Sequence, residues 1–188
     1  CLLALNRLWR LNLPQARLMQ LGLKLGADVP FFIQGQNAWV EGIGEHITPL
    51  TDAARLLPST YAVIKPLAGV DTGQIFKSPN LKRDSNTATI AGFAADQKSF
   101  CNSARNDLSD VARQICPDIE QAIEWLGSQG LNARMTGSGS AVFADLNETM
   151  QVLLTTTWNS SGYAQKGWQF RVCNNLEAHP LLGWASGD

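Results

Sequence analysis

The sequence has few of the residues that mark metal sites, membrane spans or nucleic-acid binding. Among 188 residues there are four cysteines, none in a Cys-x-x-Cys pair, and two histidines. This pattern does not indicate a zinc or other metal site and favours reduced cytosolic thiols. No apolar run approaches the roughly 20 residues that a transmembrane helix needs. Fifteen basic residues nearly balance sixteen acidic ones, which argues against a general nucleic-acid binder.

What is present is an ordinary globular composition, with 45% hydrophobic and 16% charged residues. This length can bury the core of one large domain or two small ones. The sequence starts at Cys1 inside a helical pattern of Leu2, Leu5 and Leu8, with no capping residue ahead of it. The start predicts that a preceding segment is missing, and with it any targeting signal, a plastid signal included.

Hydrophobic periodicity predicts a mixture of helices and strands. A helix is predicted to begin near Pro14 and to end at a left-handed Gly26, and residues 78–100 are predicted to hold a surface loop and a weak helix. The strands are predicted at 37–41, 60–65, 131–136, 141–146 and 168–173, and further helices at 103–116, from Pro117, and from Glu148. This order indicates a layered α+β domain with helices on one face of an antiparallel sheet.

Asp28 stands alone among apolar residues in the stretch Gly-Ala-Asp-Val-Pro-Phe-Phe, residues 26–32. Because Pro30 fits the first turn of a helix, Asp28 is predicted at a helix N-terminus, where the helix dipole favours its ionised form. One interpretation is an N-cap that stabilises the helix. The other is a carboxylate that accepts the proton of an attacking hydroxyl. The spacing alone leaves both open.

A glycine- and serine-rich segment separates two of the predicted strands. It consists of Thr136, Gly137, Ser138, Gly139 and Ser140. Backbone N–H groups in such a turn can converge on an anion, and glycine lets a phosphate approach the backbone closely. The segment is neither a Walker loop nor a Gly-x-Gly-x-x-Gly motif. It is either a phosphate-binding loop or a plain hairpin turn.

Two further stretches carry polar or aromatic residues of interest. A turn after the strand at 60–65 leads to a predicted helix start near Thr72, with Phe76 beyond it. Phe76 can stack on a base or fill the core. Helix capping explains Asn106 and Asp107.

Taken together, these stretches resemble the family of 4-diphosphocytidyl-2-C-methyl-D-erythritol kinases, within the GHMP kinase superfamily. The matching residues are 25–32, 37–45, 69–72 with 75–76, 106–108 and 136–144, in the family's order and at about its spacing. The resemblance covers essentially the whole chain. Its most specific part is the Asp28 stretch, followed closely by Glu-Gly-Ile-Gly-Glu at 41–45.

The resemblance implies a GHMP kinase fold of the α+β class. Residues 1–50 would be a remnant of the N-terminal ATP-binding domain, and residues 51–188 a complete ferredoxin-like C-terminal domain. The implied reaction is transfer of the γ-phosphoryl group of ATP, with Mg²⁺, to the tertiary 2-hydroxyl of a cytidine diphosphate-linked methylerythritol. This is a cytoplasmic step of the non-mevalonate route to isoprenoid precursors.

The resemblance also implies a role for each matched residue. Asp28 matches the catalytic aspartate, and Phe76 matches an aromatic residue that packs on the cytosine. Thr72 lies where the sugar-alcohol and phosphate end of the substrate is held. Residues 136–140 match a motif near the ATP phosphates.

Two parts of the family pattern have no counterpart in this sequence. They are a catalytic lysine near the N-terminus and a Gly-Gly-Gly-Ser-Ser loop that cradles ATP, and the order of the motifs places both before Cys1. We therefore expect a fragment without useful kinase activity of its own. The alternatives are another GHMP kinase, of homoserine or mevalonate type, and a non-catalytic ligand-binding module. The contexts of Asp28 and Phe76 disfavour the former, and an intact Asp28 stretch disfavours the latter.

Overall fold

The computed structural model describes residues 1–51 and 54–185. Packing contacts divide the chain into two compact units. The first unit comprises Cys1–Leu57, Thr89–Gln97 and the segment from Leu176 onward, and the second unit comprises Pro58–Ala88 and Lys98–Asn175. The domain boundary between residues 50 and 51 stays a prediction.

Short helices and strands follow one another along the chain. The helices are α1 (Leu2–Leu8), α2 (Gln15–Leu23), α3 (Val29–Gln34), α4 (Thr72–Lys77), α5 (Ile90–Ala95), α6 (Gln97–Ser103), α7 (Ser109–Ile115), α8 (Asp118–Ser128) and α9 (Glu148–Ser160). The strands are β1 (Ala38–Glu41), β2 (His46–Pro49), β3 (Thr60–Lys65), β4 (Ala133–Met135), β5 (Val142–Leu146) and β6 (Gln169–Asn174).

The first unit contains a small helical core and a two-stranded hairpin. Leu3, Leu18 and Ile33, from α1, α2 and α3, form the buried cluster. Gly22 lets α2 and α3 approach closely, because a Cβ atom added there would lie 2.8 Å from the side chain of Ile33. Strands β1 and β2 pair antiparallel in the hairpin. This packing fixes the turn between α2 and α3, which carries Asp28.

The second unit is built on a four-stranded sheet in the order β4–β5–β3–β6. Every adjacent pair is antiparallel. The chain passes from β3 through helices to β4 and β5, and then through α9 to β6. This order and connectivity are those of the ferredoxin-like β-α-β-β-α-β fold. The predicted α+β class with a ferredoxin-like domain is therefore confirmed.

One face of this sheet is covered by helices, as predicted. Alternate residues of the two central strands point to the same side, since side chains alternate along a strand. Ala62 and Ile64 of β3 and Val142 of β5 are fully buried on that side. They pack in one cluster with residues of α7, α8 and α9. This rigid core supports the loop between β4 and β5.

Two local predictions are wrong. The helix predicted at 103–116 is shorter, because α7 begins only at Ser109 and residues 104–108 are non-helical. The left-handed stop predicted at Gly26 is absent: α2 ends in a right-handed turn at Lys24. Left-handed backbone occurs instead at Gly35, which ends α3 with φ 79°. Across residues 1–51 and 54–185, no helix has the length and apolar character to cross a membrane.

Candidate functional site

The glycine-serine loop, residues 136–140, connects β4 to β5 in the second unit. Its two glycines have left-handed backbone, with φ 57° at Gly137 and φ 90° at Gly139. Such angles are strained for any residue with a Cβ atom. At Gly139 a Cβ atom would also lie 3.0 Å from the sulfur of Met135 and 3.1 Å from Ile119. The loop backbone is therefore pressed against the core, where only glycine fits.

Thr72 joins the glycine-serine loop to α4. Its hydroxyl lies 2.8 Å from the hydroxyl of Ser138, and either group can donate the hydrogen bond. Thr72 is exposed and Ser138 is half-buried. Two predicted site residues from separate stretches of the sequence thus form one hydroxyl pair on the surface of the second unit.

Asn106 holds the loop from another side. Its amide nitrogen donates to the carbonyl of Gly137 at 2.8 Å and to that of Met135 at 3.3 Å. Its amide oxygen accepts a hydrogen bond from the backbone N–H of Leu108. Capping is therefore only part of the role of Asn106, because its amide group also anchors the glycine-serine loop about thirty residues further along the chain.

Ser140 is fully buried, with 0% of its surface exposed. Its hydroxyl donates to the carbonyl of Ala68, and it accepts a hydrogen bond from the ammonium group of Lys65 at 2.9 Å. This hydroxyl therefore braces the base of the loop and is not presented to a ligand. The exposed members of the predicted phosphate loop are Thr136 and Gly137.

Helix α4 presents Thr72 and Phe76 to solvent while Ile75 anchors it. Asp71 caps the helix, its carboxylate accepting from the N–H groups of Gly73 at 2.7 Å and of Gln74 at 3.3 Å. Ile75 is fully buried, whereas 57% of Phe76 is exposed. Ile75 fills the core here, so the Phe76 ring is available for a ligand.

Arg83 fastens the other end of α4. Its guanidinium donates to the carbonyl of Phe76 at 2.7 Å and to that of Leu81 at 3.0 Å. Carbonyl groups at a helix end lack partners within the helix, so this arginine stabilises the turn that carries Phe76. No local pattern of the sequence links Arg83 to α4.

Asp28 belongs to the first unit, where it precedes α3. It occupies the N-cap position, but its backbone is already helical, at φ −84° and ψ −13°, and its side chain makes no cap hydrogen bond. The residue is exposed. The carboxylate is therefore not used to cap the helix, although the residue stands at the predicted helix start.

The Glu41–Glu45 turn packs against the Asp28 stretch. Gly44 is buried with φ 118°, and a Cβ atom added there would collide with the backbone of Ala27. Glu45 closes the turn by accepting a hydrogen bond from the N–H of Ile43 at 2.6 Å. Backbone hydrogen bonds of this kind hold the pKa of the Glu45 carboxyl below its usual range. The two most specific motifs of the sequence therefore meet within the first unit.

A cavity of about 490 Å³ lies beside Asn106 in the second unit. Three arginines line it, and each already has a partner. Arg105 pairs with Asp107 and Asp110, Arg113 pairs with Glu120, and Arg134 binds the carbonyl of Cys101 and lies over the ring of Phe143. Each of the three arginines that line the cavity thus has its partners within the protein.

The structure brings some of the predicted site residues together. Thr72 and the glycine-serine loop form one hydrogen-bonded group, and Phe76 projects from the same helix as Thr72. Asp28 belongs to the other unit.

Comparison with known proteins gives three consistent results. The family model described as GHMP kinases C terminal matches residues 90–149. A 4-diphosphocytidyl-2-C-methyl-D-erythritol kinase of Albidiferax ferrireducens is 53% identical over 188 residues, covering 100% of this chain and 60% of that protein. The kinase of the same name from Paracidovorax citrulli is 50% identical over 187 residues, covering 100% of this chain and 61% of that protein.

A solved structure shares the fold. The crystal structure of a 4-(cytidine 5'-diphospho)-2C-methyl-D-erythritol kinase matches 92% of this chain and 60% of its own, with a TM-score of 0.62 and 24% identity. The chain spans about 60% of the length of the curated relatives it matches. The chain is therefore similar, at about half of all positions along its whole length, to 4-diphosphocytidyl-2-C-methyl-D-erythritol kinases, and its residues 90–149 match the C-terminal region of GHMP kinases.

Proposed function

We propose that the full-length protein transfers the γ-phosphoryl group of ATP to the 2-hydroxyl of 4-(cytidine 5'-diphospho)-2-C-methyl-D-erythritol. The observation that carries this proposal is the identity of about 50%, over the whole chain, to kinases whose name contains this substrate. The step belongs to the non-mevalonate route to isoprenoid precursors, and we place it in the cytoplasm.

Asp28 is proposed as the group that handles the attacking hydroxyl. In the reaction the hydroxyl oxygen bonds to the γ-phosphorus, the bond to the β–γ bridging oxygen breaks, and ADP leaves. The hydroxyl proton passes to a base. An exposed carboxylate that makes no cap hydrogen bond is suited to accept that proton or to orient the hydroxyl. General-base assistance of this kind contributes about 10²–10⁴-fold to the rate.

The glycine-serine loop is proposed to lie near the ATP phosphates. Its left-handed glycines turn the backbone so that N–H groups can face an anion. The Thr72–Ser138 hydroxyl pair lies beside this backbone and offers further donors to a phosphate. Because Ser140 is buried, it is proposed to support the loop and not to contact the phosphate.

Phe76 is proposed to bind the base of the substrate. A phenyl ring that is 57% exposed on a helix fixed at both ends is a suitable surface for stacking a cytosine. Asp71 and Arg83 hold the two ends of that helix. Base–aromatic stacking of this kind is worth about 1–3 kcal/mol.

ATP is the proposed phosphoryl donor, and Mg²⁺ neutralises phosphate charge in such reactions. Within residues 1–51 and 54–185, no group of three or more His, Cys, Asp or Glu side chains is placed to hold a metal ion. We therefore propose that Mg²⁺ enters with ATP. The lysine and the Gly-Gly-Gly-Ser-Ser loop of the family are not among these 188 residues, so we propose that turnover needs the longer protein.

The test is a turnover assay on the full-length protein with the Asp28→Asn variant. ADP release is measured with the cytidylated methylerythritol, and with homoserine and mevalonate as competing candidates. We expect turnover only with the first, and a loss of kcat of about a hundredfold or more in Asp28→Asn with nucleotide binding retained. The exposed Asp84→Asn serves as the matched control. A kcat of Asp28→Asn close to that of the control would refute the role of Asp28.

A further inference from the structure

Lys65 is a cation at the base of the glycine-serine loop that no role yet accounts for. It is the last residue of β3 and is half-buried. Its ammonium nitrogen lies 2.8 Å from the carbonyl oxygen of Pro66, 3.3 Å from that of Ala68, and 2.9 Å from the hydroxyl of Ser140. In the described part of the chain, no carboxylate lies within ion-pair distance of it.

The hydrogen-bond count shows what Lys65 does. A lysine ammonium has three N–H donors and no acceptor. Three protein acceptors surround it, so each donor has a partner and none remains for a ligand. Ser140 donates its own proton to the carbonyl of Ala68. A cation near a proposed phosphate loop would ordinarily be interpreted as a phosphate ligand. Here all three N–H donors of the cation bind acceptors of the protein itself.

These bonds connect two segments that are far apart in the sequence. Pro66 and Ala68 belong to the turn that leads into α4, which carries Thr72 and Phe76, and Ser140 closes the glycine-serine loop. A second contact joins the same two segments, because the hydroxyl of Thr72 at the start of α4 bonds to the hydroxyl of Ser138 in the loop. The α4 lead-in and the loop are therefore joined at two points.

We propose that Lys65 is a positioning residue that sets the distance between the substrate-holding helix and the phosphate loop. This rests on the proposed function, in which α4 holds the cytidylated substrate and the loop lies near the ATP phosphates. Correct placement of reactants contributes strongly to rate, and a displacement of about 1 Å can lower it a hundredfold. Lys65 acts through Ser140 and through two backbone carbonyls, without contacting substrate.

A double-mutant cycle on the full-length protein tests the proposal, with Lys65→Met and Ser140→Ala made singly and together. Residues that act through one contact give non-additive effects. We expect each single change to lower kcat by about tenfold, the double variant to be no worse than the more damaged single variant, and the pH profile of kcat to keep its shape. Lys82→Met, an exposed lysine of the same unit, is the control.

Three outcomes would overturn the positioning role. Strictly additive losses would mean that Lys65 and Ser140 act separately. A large rise in the KM for ATP in Lys65→Met, with kcat intact, would mean that Lys65 binds phosphate directly. Amide hydrogen exchange gives a readout that needs no turnover: we expect faster exchange in residues 67–72 and 136–140 of Lys65→Met, and unchanged exchange there would refute the proposal. Absence of wild-type turnover would instead count against the proposed function alone.

Discussion

The hydroxyl of Thr72 lies 2.8 Å from the hydroxyl of Ser138, although 66 residues separate them in the chain. The pair links the first residue of α4 to the middle of the glycine-serine loop. Since both segments are proposed to hold phosphorylated groups, the pair is placed to align them. A loss of this link should affect catalysis more than folding, because Thr72 is exposed.

Thr72→Val removes that hydroxyl with little change of shape. We expect kcat/KM for the cytidylated substrate to fall about tenfold, the scale of one hydrogen bond made at a charged group. Thr72→Ser keeps the hydroxyl and should retain most of the activity. Steady-state kinetics on the full-length protein would measure this. A kcat/KM unchanged in Thr72→Val, or a larger loss in Thr72→Ser than in Thr72→Val, would mean that the hydroxyl pair does not matter.

Phe76→Ala should weaken substrate binding and leave folding intact. The ring is 57% exposed, so little core packing is lost, while the stacking lost to a cytosine is about 1–3 kcal/mol. Isothermal titration calorimetry with a cytidine diphosphate ligand gives the affinity. Phe76→Tyr keeps an aromatic face and should bind nearly as the wild type. An unchanged affinity in Phe76→Ala would rule out stacking.

Asn106→Ala should destabilise the protein. Its side chain makes hydrogen bonds to Gly137, Met135 and Leu108, and the loss of a partly exposed hydrogen bond of this kind costs about 0.5–1.5 kcal/mol. Urea unfolding would measure the change. The exposed Asn132, which precedes β4, provides the control variant Asn132→Ala. A loss in Asn106→Ala no larger than in the control would show that the loop does not need this anchor.

Glu45 should make stability depend on pH. Backbone hydrogen bonds to its carboxylate lower its pKa in the folded protein, so the ionised form favours folding. That contribution is fully present above the ordinary pKa of a glutamate and is lost as the pH falls through the lowered folded value. We expect Glu45→Gln to be less stable than wild type at pH 7 and the difference to shrink in acid. A difference that is constant with pH would contradict this.

The local sequence pattern was sufficient to predict those helices and strands whose ends are fixed by residues next to them in the sequence. The strand predicted at 60–65 has those bounds in the structure, because the stretch is rich in β-branched and aromatic residues and Pro66 ends it. The helix predicted from Pro117 begins as expected, since proline suits a first turn. The order of strands and helices also indicated the layered α+β class, whereas the ferredoxin-like topology was implied by the family resemblance.

Contacts between distant residues were beyond the reach of local pattern. The helix predicted at 103–116 starts late because Asn106 bonds to the loop at Gly137. The sequence indicates only an ordinary turn residue at Gly44. Glycine is nevertheless required there, because the backbone of Ala27 leaves no space for a side chain. Likewise, nothing near Lys65 in the sequence indicates that its donors are shared with Ser140. Such constraints arise only once the chain has folded.

The first unit draws its residues from three separate stretches, and this has a consequence for synthesis on the ribosome. The carbonyl of Gly35 accepts a hydrogen bond from the N–H of His179 at 2.7 Å, and Gln36 pairs with Ala178. Gly35 and Gln36 therefore meet these partners only after residues 178 and 179 have been made. Once residues up to 175 have left the ribosome, every strand of the second unit's sheet is present, while the first unit still lacks its segment from Leu176 onward.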